Sequence, residues 1–265
     1  MVKNLIALAL CVNFCFASNV ASIVSGILGG DSSKAASLFG DGLDYLDENK
    51  KPDIAKISNL LKSKSLLALS YKNKMNLDIT FISEQNSPLL LIKIVKDALN
   101  RLGYNEILTT EFANTQNSIW SIRLNTKFIL DPGSFYTALK ETGTSIEMIE
   151  RTGEFSYKYV LDISKSSLNL TPVEIGREVE LSKPLEPYFI DISGASKADI
   201  SAQAGDSWFA LVRILDKNLN LLDEKRNSKK TGKITISIPK NAKYITIDDV
   251  NSLENIKRGL KIYLQ

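Results

Sequence analysis

The chain has 265 residues, with 33 Lys and Arg against 30 Asp and Glu, and it contains no His. Its hydrophobic content of 44% and charged content of 24% are those of an ordinary folded protein, neither disordered nor membrane-embedded. The absence of His excludes the Ser-His-Asp triad, His-containing zinc sites and imidazole acid–base chemistry. The sequence also has no Walker loop and no GxGxxG motif. We therefore predict a protein that is not an enzyme and that has no cofactor.

Residues 1–17 have the pattern of a secretory signal peptide. Lys3 supplies the positive start, residues 5–16 form a short apolar run, and Ala17 ends a small-x-small cleavage pattern. The apolar run is shorter than the roughly 20 residues that a membrane-spanning helix needs. We predict cleavage rather than an uncleaved anchor, and no transmembrane anchor elsewhere. The mature chain then begins near Ser18 in the periplasm and has lost both cysteines, so it can form no disulfide.

Residues 18–64 are predicted to form a flexible and partly helical N-terminal segment. Residues 25–33 are rich in Gly and Ser, a composition typical of a flexible stretch. A short helix is expected after Pro52, where three apolar residues recur at helical spacing, namely Ile54, Ile57 and Leu61. We interpret the segment as a tether or as a helix packed on the next domain. The alternative is a docking arm that becomes ordered on a partner.

Residues 65–166 show a βαββ pattern that is predicted to occur twice, which gives an α+β domain. The helix of the first copy starts at Ser87-Pro88, a polar cap followed by Pro, and stops at Gly103. Its apolar residues form one continuous stripe, made of Leu91, Ile94, Val95, Ala98, Leu99 and Leu102. The strands of this copy are predicted at residues 77–83, 106–112 and 119–128.

The second copy repeats these signals from Asp131-Pro132 to Gly143, with its strands predicted at residues 145–151 and 155–163. In the last strand every second residue is aromatic or aliphatic, so these side chains share one face. A helix with an apolar stripe can bury it only against a sheet. We therefore predict helices on one face of a mainly antiparallel sheet.

Residues 170–265 lose the helical periodicity and are predicted to form a β-sandwich domain, immunoglobulin-like or jelly-roll. The signal is a series of short strands separated by turn residues. These strands are predicted at residues 178–181, 188–192, 198–204, 208–215, 221–225, 233–238, 244–247 and 260–264. The domain boundary is expected at the polar run 164–167.

Asp216, Asn218 and Asn220 place oxygen-bearing side chains at alternate positions, as in the first half of a calcium-binding loop. The EF-hand loop also requires Gly at its sixth position and Glu at its twelfth, where this chain has Leu221 and Asn227. The alternative is a turn between two strands, because Asn and Asp tolerate turn conformations. We keep the three residues as a calcium candidate and predict no other metal site.

A second candidate site is the basic loop, which we define as residues 225–233. It contains five cations, namely Lys225, Arg226, Lys229, Lys230 and Lys233. We interpret the loop as a solvated hairpin loop whose charges discourage aggregation at a sheet edge. The alternative, for which we keep the five residues as interaction candidates, is contact with anionic envelope material such as lipid headgroups or glycan.

Four aromatic residues at strand spacing allow two interpretations. They are Trp120, Phe155, Tyr157 and Tyr159. Such residues can form a surface that stacks on sugars or on a partner, or they can belong to the core. Their strand spacing favours the core.

The exported N-terminus, the two Pro-capped βαββ units and the terminal sandwich resemble the layout of the FlgQ-like family, periplasmic flagellar accessory proteins of epsilonproteobacteria. The Lys- and Asn-rich composition is similar as well. The resemblance covers length, export and layout, and no motif carries it, so it assigns no functional residue. It implies a periplasmic, outer-membrane-associated protein that supports the disk of the flagellar motor.

We therefore predict an exported structural or assembly subunit of a bacterial cell-envelope complex, and specifically a flagellar accessory protein needed for motility. Its expected partners are other envelope or flagellar proteins, including an outer-membrane lipoprotein, within a homo- or hetero-oligomeric ring. The formal net charge of +3 is too balanced to favour nucleic acid. One alternative is a periplasmic glycan- or peptidoglycan-binding module. Another is a carboxylate-dependent hydrolase, which needs only two neighbouring carboxylates.

Overall fold

A computed structural model of the protein describes residues 19–29, 32, 35, 37–168, 170 and 173–265. The predicted signal peptide and both cysteines lie outside these described residues. The chain divides into two compact units, residues 1–167 and residues 168–265. Each unit has its own β-structure and its own buried residues.

The first unit combines helices with one β-sheet. Its described helices are α1 (19–28), α2 (Ile54–Ser63), α3 (Pro88–Arg101) and α4 (Pro132–Lys140). Its strands are β1 (Ser70–Ser83), β2 (Leu108–Asn114), β3 (Ser118–Phe128), β4 (Ser145–Gly153) and β5 (Ser156–Asp162). Two 3₁₀ turns span Ser37–Phe39 and Leu43–Tyr45. From β1 onward the elements follow the predicted order, β-α-β-β-α-β-β.

The strands of the first unit lie in the order β2-β3-β1-β5-β4. Only β1 and β5 are parallel, so the predicted α+β class with a mainly antiparallel sheet is confirmed. The tandem βαββ arrangement is not confirmed. Only residues 129–131 separate β3 from α4, which leaves no room for a first strand in the second copy. The hairpins β2–β3 and β4–β5 lie instead on either side of β1.

One face of this sheet is buried and the other is polar, because successive side chains of a strand point to opposite faces. On the buried face, Phe81 of β1 stacks on Tyr159 of β5 with the ring centroids 5.8 Å apart, and both contact Phe135 of α4. On the polar face, Arg123 donates two hydrogen bonds to Asp78. Of the four aromatic residues that allowed two interpretations, Trp120, Tyr157 and Tyr159 are buried and Phe155 is half-buried, which supports the core interpretation.

Helix α3 buries its predicted stripe against the sheet. Leu91, Ile94, Val95, Ala98 and Leu99 are all buried, Leu102 is half-buried, and Leu90 widens the stripe by one residue. Gly103 ends the helix at φ 88°, a conformation that favours glycine, and the N–H of Tyr104 bonds the carbonyl of Leu99. Ser87 occupies the N-cap position as predicted, but its side chain makes no capping hydrogen bond.

Asp131 fastens α2 to the start of α4. Its carboxylate accepts hydrogen bonds from the Ser58 hydroxyl at 2.7 Å and from the Gly133 N–H at 3.2 Å, and the Lys62 ammonium lies 3.0 Å away. Burial raises the pKa of Asp131, but hydrogen bonds from Ser58, Ser134 and Lys62 outweigh it and hold the pKa below its ordinary value. Glycine at position 133 is required by packing, because a Cβ there would crowd Ser58.

Helix α1 packs on β4, an edge strand of the sheet. Its apolar side chains at positions 20, 23, 24 and 27 are all buried. Gly26 lies so close to the carbonyl group of Ile149 that a Cβ would overlap the carbonyl oxygen. The predicted helices do not include α1. Part of the stretch predicted flexible from its composition, residues 25–28, is therefore helical and packed.

The second unit contains two four-stranded antiparallel sheets, β10-β9-β12-β7 and β11-β8-β13-β6. Their strands are β6 (Glu178–Leu181), β7 (Tyr188–Asp191), β8 (Lys197–Ala202), β9 (Ala210–Leu215), β10 (Leu221–Arg226), β11 (Lys233–Ser237), β12 (Tyr244–Asp249) and β13 (Leu260–Leu264). A 3₁₀ turn spans Leu253–Asn255. Each of the eight strands overlaps a predicted one, and β6 and β13 have the predicted bounds.

A single apolar cluster takes residues from both sheets of the second unit. Ile200 of β8 and Ile262 of β13 join Val212 of β9 and Ile245 of β12, and none of the four is exposed. Trp208 is also fully buried, and its indole N–H donates to the carbonyl oxygen of Asp248 at 2.8 Å. The two sheets therefore pack together mainly through their apolar faces, and the burial of these faces stabilises the unit.

Candidate functional site

The basic loop connects β10 to β11, and hydrogen bonds to the backbone around the start of β9 hold it at both ends. The N–H of Asn227 bonds the carbonyl oxygen of Ala210 at 2.8 Å, and the N–H of Thr231 bonds that of Trp208 at 2.7 Å. Inside the loop, the Asn227 side-chain oxygen accepts a hydrogen bond from the N–H of Lys229. The Thr231 hydroxyl donates a hydrogen bond to the carbonyl oxygen of Lys229. Because Trp208 and Ala210 belong to the core, the loop is attached to the core at both ends.

Four of the five predicted cations have no negative partner among the described residues. Lys233 lies 3.2 Å from a carboxylate oxygen of Asp199. The other four are Lys225, Arg226, Lys229 and Lys230, and all of them are exposed. Within the part of the chain that the structure describes, no carboxylate oxygen lies within 4.0 Å of their charged nitrogens. The loop therefore carries positive charge that the fold does not neutralise.

Most cations elsewhere in the second unit are paired, and the three that have no carboxylate partner among the described residues, Lys217, Lys240 and Lys257, lie singly in the sequence. Arg213 lies 2.8 Å from Glu224 across the β9–β10 ladder, and Lys243 lies 2.7 Å from Asp191 across the β12–β7 ladder. On the other sheet, Lys261 contacts two glutamates of β6. Like most exposed ion pairs these contribute about 0–1 kcal/mol each, but they neutralise the sheet surfaces. The basic loop departs from this pattern.

The calcium candidate residues form the turn between β9 and β10. One carboxylate oxygen of Asp216 accepts from the N–H groups of Asn218 and Asn220 at 2.8 and 2.9 Å, and the other accepts from the Asn220 side-chain amide at 3.0 Å. Leu219 takes the left-handed conformation at φ 66°. The carboxylate thus closes its own turn, which is the alternative that the sequence left open. We therefore favour the turn and keep these three residues only as a calcium candidate.

The two edges of the first unit's sheet differ in what covers them. Strand β4 is contacted by α1, and the Arg151 guanidinium of β4 donates to the carbonyl oxygen of Leu28 at 3.4 Å. Strand β2 pairs only with β3 among the described strands, and six of its seven residues are exposed. The β2 edge, which we define as residues 108–114, is the surface that the sequence analysis did not identify.

Two large apolar side chains stand on the β2 edge. Leu108 is 61% exposed and Phe112 is 52% exposed. The register places Phe112 opposite Trp120, on the helix-covered face, and Leu108 opposite Arg123, on the polar face. A bulge between Thr109 and Glu111 separates them. A partner that meets this edge therefore finds apolar surface on both faces of the strand.

A polar cavity of about 400 Å³ opens where the parallel strands β1 and β5 end. It is lined by Lys51, Glu84, Gln85, Glu147, Val160, Leu161, Asp162 and Ser164. The Lys51 ammonium lies 2.6 Å from the Glu147 carboxylate. Hydrogen bonds from Ser164 hold the pKa of Asp162 below its ordinary value. The cavity walls thus carry both charge signs, and its groups partly neutralise one another.

Two features are absent from the described residues. No group of three or more Asp, Glu, His or Cys side chains among them is arranged to hold a metal ion. Among the same residues, no helix has the length and apolar character needed to cross a membrane. Both statements concern the described part of the chain alone.

Comparison with known proteins gives no relative on which to base a function. No protein-family model matches the chain, and no curated protein matches it either. The resemblance to FlgQ-like proteins therefore rests on length and on the export and layout predicted from the sequence.

Proposed function

We propose that the protein is an exported structural or assembly subunit of a bacterial cell-envelope complex, without catalytic activity. The complex is the periplasmic part of the flagellar motor, so the protein is needed for motility. Its partners are other envelope or flagellar proteins, including an outer-membrane lipoprotein, and it takes its place in a homo- or hetero-oligomeric ring. It resides in the periplasm, associated with the outer membrane.

The observation that supports a subunit role is the contrast between the two edges of the first sheet. Natural proteins block exposed sheet edges, because unpaired N–H and C=O groups pair with other chains. Here α1 packs on β4, whereas β2 offers exposed Leu108 and Phe112. Exposed large apolar side chains on an edge are typical of a protein-contact surface.

The bulge in β2 favours a specific contact over indiscriminate pairing. A bulge twists an edge strand and interrupts the regular ladder, which discourages sheet-to-sheet aggregation. Beyond the bulge, residues 111–114 pair regularly with β3, so their outer side is the segment on which a partner strand can align. The partner then covers Phe112 at the same time.

The fold leads to two finer proposals about architecture. We propose that the second unit is a β-sandwich, immunoglobulin-like or jelly-roll, because a single apolar cluster joins residues of both sheets. We also propose that α3-β2-β3 and α4-β4-β5 are copies of one unit that share the central strand β1. The flanking hairpins and the Gly-terminated helices support this relation.

Gene deletion with complementation tests the functional proposal. Cells that lack the gene should fail to swim, and their motors should lack part of the periplasmic structure in tomograms. Complementation with Phe112→Asp should leave motility impaired, because a charge replaces the apolar contact. The matched control is Leu185→Asp, at a position 97% exposed in a loop of the second unit, which should restore swimming. Intact swimming and intact motors in the deletion strain would refute the flagellar assignment.

A further inference from the structure

We propose that the basic loop binds the surface of an anionic phospholipid membrane. Four exposed cations are concentrated in residues 225–230, and none of them has a carboxylate partner among the described residues. Other unpaired cations of the second unit, such as Lys217 and Lys240, lie singly, so the concentration of four within six residues is what indicates an external anion.

The loop presents its charge without a large ordering cost. Both ends are hydrogen-bonded to the backbone of Trp208 and Ala210, which are fully buried. A loop whose ends are already held loses less backbone freedom on binding than a free segment of the same length would lose.

The arrangement of the cations fits an extended surface better than a single small anion. Neighbouring residues of β10 point to opposite faces, and Lys225 lies opposite Val212 while Arg226 lies opposite Leu211. Lys229 and Lys230 stand between the two strands at the loop itself. Because β10 and β11 belong to different sheets, the loop crosses from one sheet to the other, and its cations are spread over both faces of β10 and the crossover. A spread of this kind suits a plane of headgroups better than one small anion.

The expected strength follows from the number of free cations. Each Lys or Arg near an anionic bilayer strengthens binding by about fivefold. Four of them together give an increase of about several hundredfold over a neutral bilayer, which is weak and reversible binding. Because the attraction is electrostatic, it should fall steeply with salt.

The choice of lipid over other polyanions rests on the envelope location proposed above. The test itself uses purified protein and no motility readout. If the protein does not bind anionic vesicles, the lipid proposal is refuted and the assembly proposal is unaffected. If the deletion strain swims normally, the flagellar assembly proposal is refuted and the vesicle result is unaffected.

Vesicle sedimentation with the full mature chain tests the proposal. The protein should bind vesicles of phosphatidylglycerol and phosphatidylethanolamine and should stay free with phosphatidylcholine alone. The fourfold variant K225Q/R226Q/K229Q/K230Q should lose about a hundredfold or more in binding. The matched control K64Q/K72Q/K74Q/K127Q removes the same charge from exposed residues of the first unit and should bind within about threefold of wild type.

Three outcomes would overturn the proposal. Equal loss in both fourfold variants would mean that net charge alone attracts the protein. Release by inorganic phosphate, but not by chloride at the same ionic strength, would assign the loop to a single phosphate group instead of a surface. Retention on peptidoglycan sacculi without binding to vesicles would favour a glycan partner. The unfolding midpoint of each variant should match wild type, since all eight positions are exposed.

Discussion

The two units of the chain differ in the candidate contact surface that each one exposes. The first unit leaves large apolar side chains on a sheet edge, with Leu108 and Phe112 more than half exposed. The second unit buries its strands' apolar faces in one cluster and exposes unpaired cations on a loop that is held at both ends. Apolar edges favour contact with another protein, and unpaired cations favour contact with an anionic surface.

This difference follows from how each unit buries its sheet. In the first unit, helices cover one face of a single sheet, so strand β2 at its margin has no second sheet against it. In the second unit, two sheets share one core, and the edges carry charged strands such as β10. The comparison teaches that the two units need separate tests, because a change in one core should leave the other unit's transition in place.

The largest expected effect is the loss of a core side chain in the first unit. Leu99→Ala should destabilise that unit by about 2–5 kcal/mol, because Leu99 is fully buried and its removal leaves a cavity. Lys96→Ala, on the exposed side of α3, should change stability by no more than about 0.5 kcal/mol. Denaturant titration measures both. Equal, mild effects would mean that the α3 stripe does not support the fold, and a shift of the second unit's transition would break the comparison.

The next effect concerns the helix that covers the β4 edge. Gly26→Ala should destabilise the first unit by about 1–3 kcal/mol, since the added Cβ collides with the Ile149 carbonyl and α1 must move. The control is Gly232→Ala in the second unit, where a Cβ meets no atom within 4 Å and φ is not positive. It should be neutral within about 0.5 kcal/mol. In thermal unfolding, each variant is compared with wild type. If Gly26→Ala lowered the midpoint of its unit no more than Gly232→Ala lowered that of the second unit, the packing of α1 on β4 would be contradicted.

Acid should destabilise the second unit through Asp249. Burial raises the pKa of this carboxyl, but N–H groups of Phe209, Ser252 and Asn251 outweigh it and lower the pKa below the ordinary value. The ionised form therefore stabilises the fold above the unfolded pKa of about 3.9, and this stability is lost as the pH falls through the folded value.

Asp249→Asn should cost about 1–2 kcal/mol at pH 7, because the amide cannot replace both acceptors. It should also flatten the fall in stability between about pH 5 and pH 3. Fluorescence of Trp208 in a Trp120→Phe background follows the second unit alone. An acid slope that is the same in both variants would show that Asp249 does not control it.

The smallest expected effect is that of calcium and chelators. Each carboxylate oxygen of Asp216 already accepts hydrogen bonds from its own turn. Addition of calcium or of EDTA should therefore shift the melting temperature of the protein by less than about 1 °C. A clear rise with calcium that Asp216→Ala abolishes would restore the site as a metal site.

Local structure could be predicted where one residue pattern decides it. The α3 stripe, the glycine stops at 103 and 143 and the strand alternation around Trp120 all appear in the fold. These features depend on neighbours within a few positions. The missed helix α1 had such a signal too, because Val20, Ile23, Val24 and Ile27 recur at helical spacing. The Gly- and Ser-rich stretch that begins at residue 25 obscured it.

Long-range pairing could not be predicted in the same way. Nothing near β1 specifies that β5, about eighty residues later, is its parallel neighbour. Without this pairing, the sequence pattern predicted a second βαββ copy. The cavity beside Lys51, Glu147 and Asp162 joins segments that are far apart in the chain. The exposure of the β2 edge follows from the strand order, which leaves β2 with one neighbour, and the sequence does not specify that order. The basic loop was predictable as a charge run, whereas its lack of ion-pair partners was not.

The central claim is that the β2 edge contacts a partner protein in the cell envelope. A photo-crosslinking amino acid at position 112, with the same probe at the exposed position 185 as control, tests it most directly in living cells. Mass spectrometry should identify one envelope or flagellar protein, or a second copy of this chain, on the position-112 product and not on the position-185 product. No crosslink at position 112 in cells that export the protein, or the same set of products at both positions, would contradict the claim.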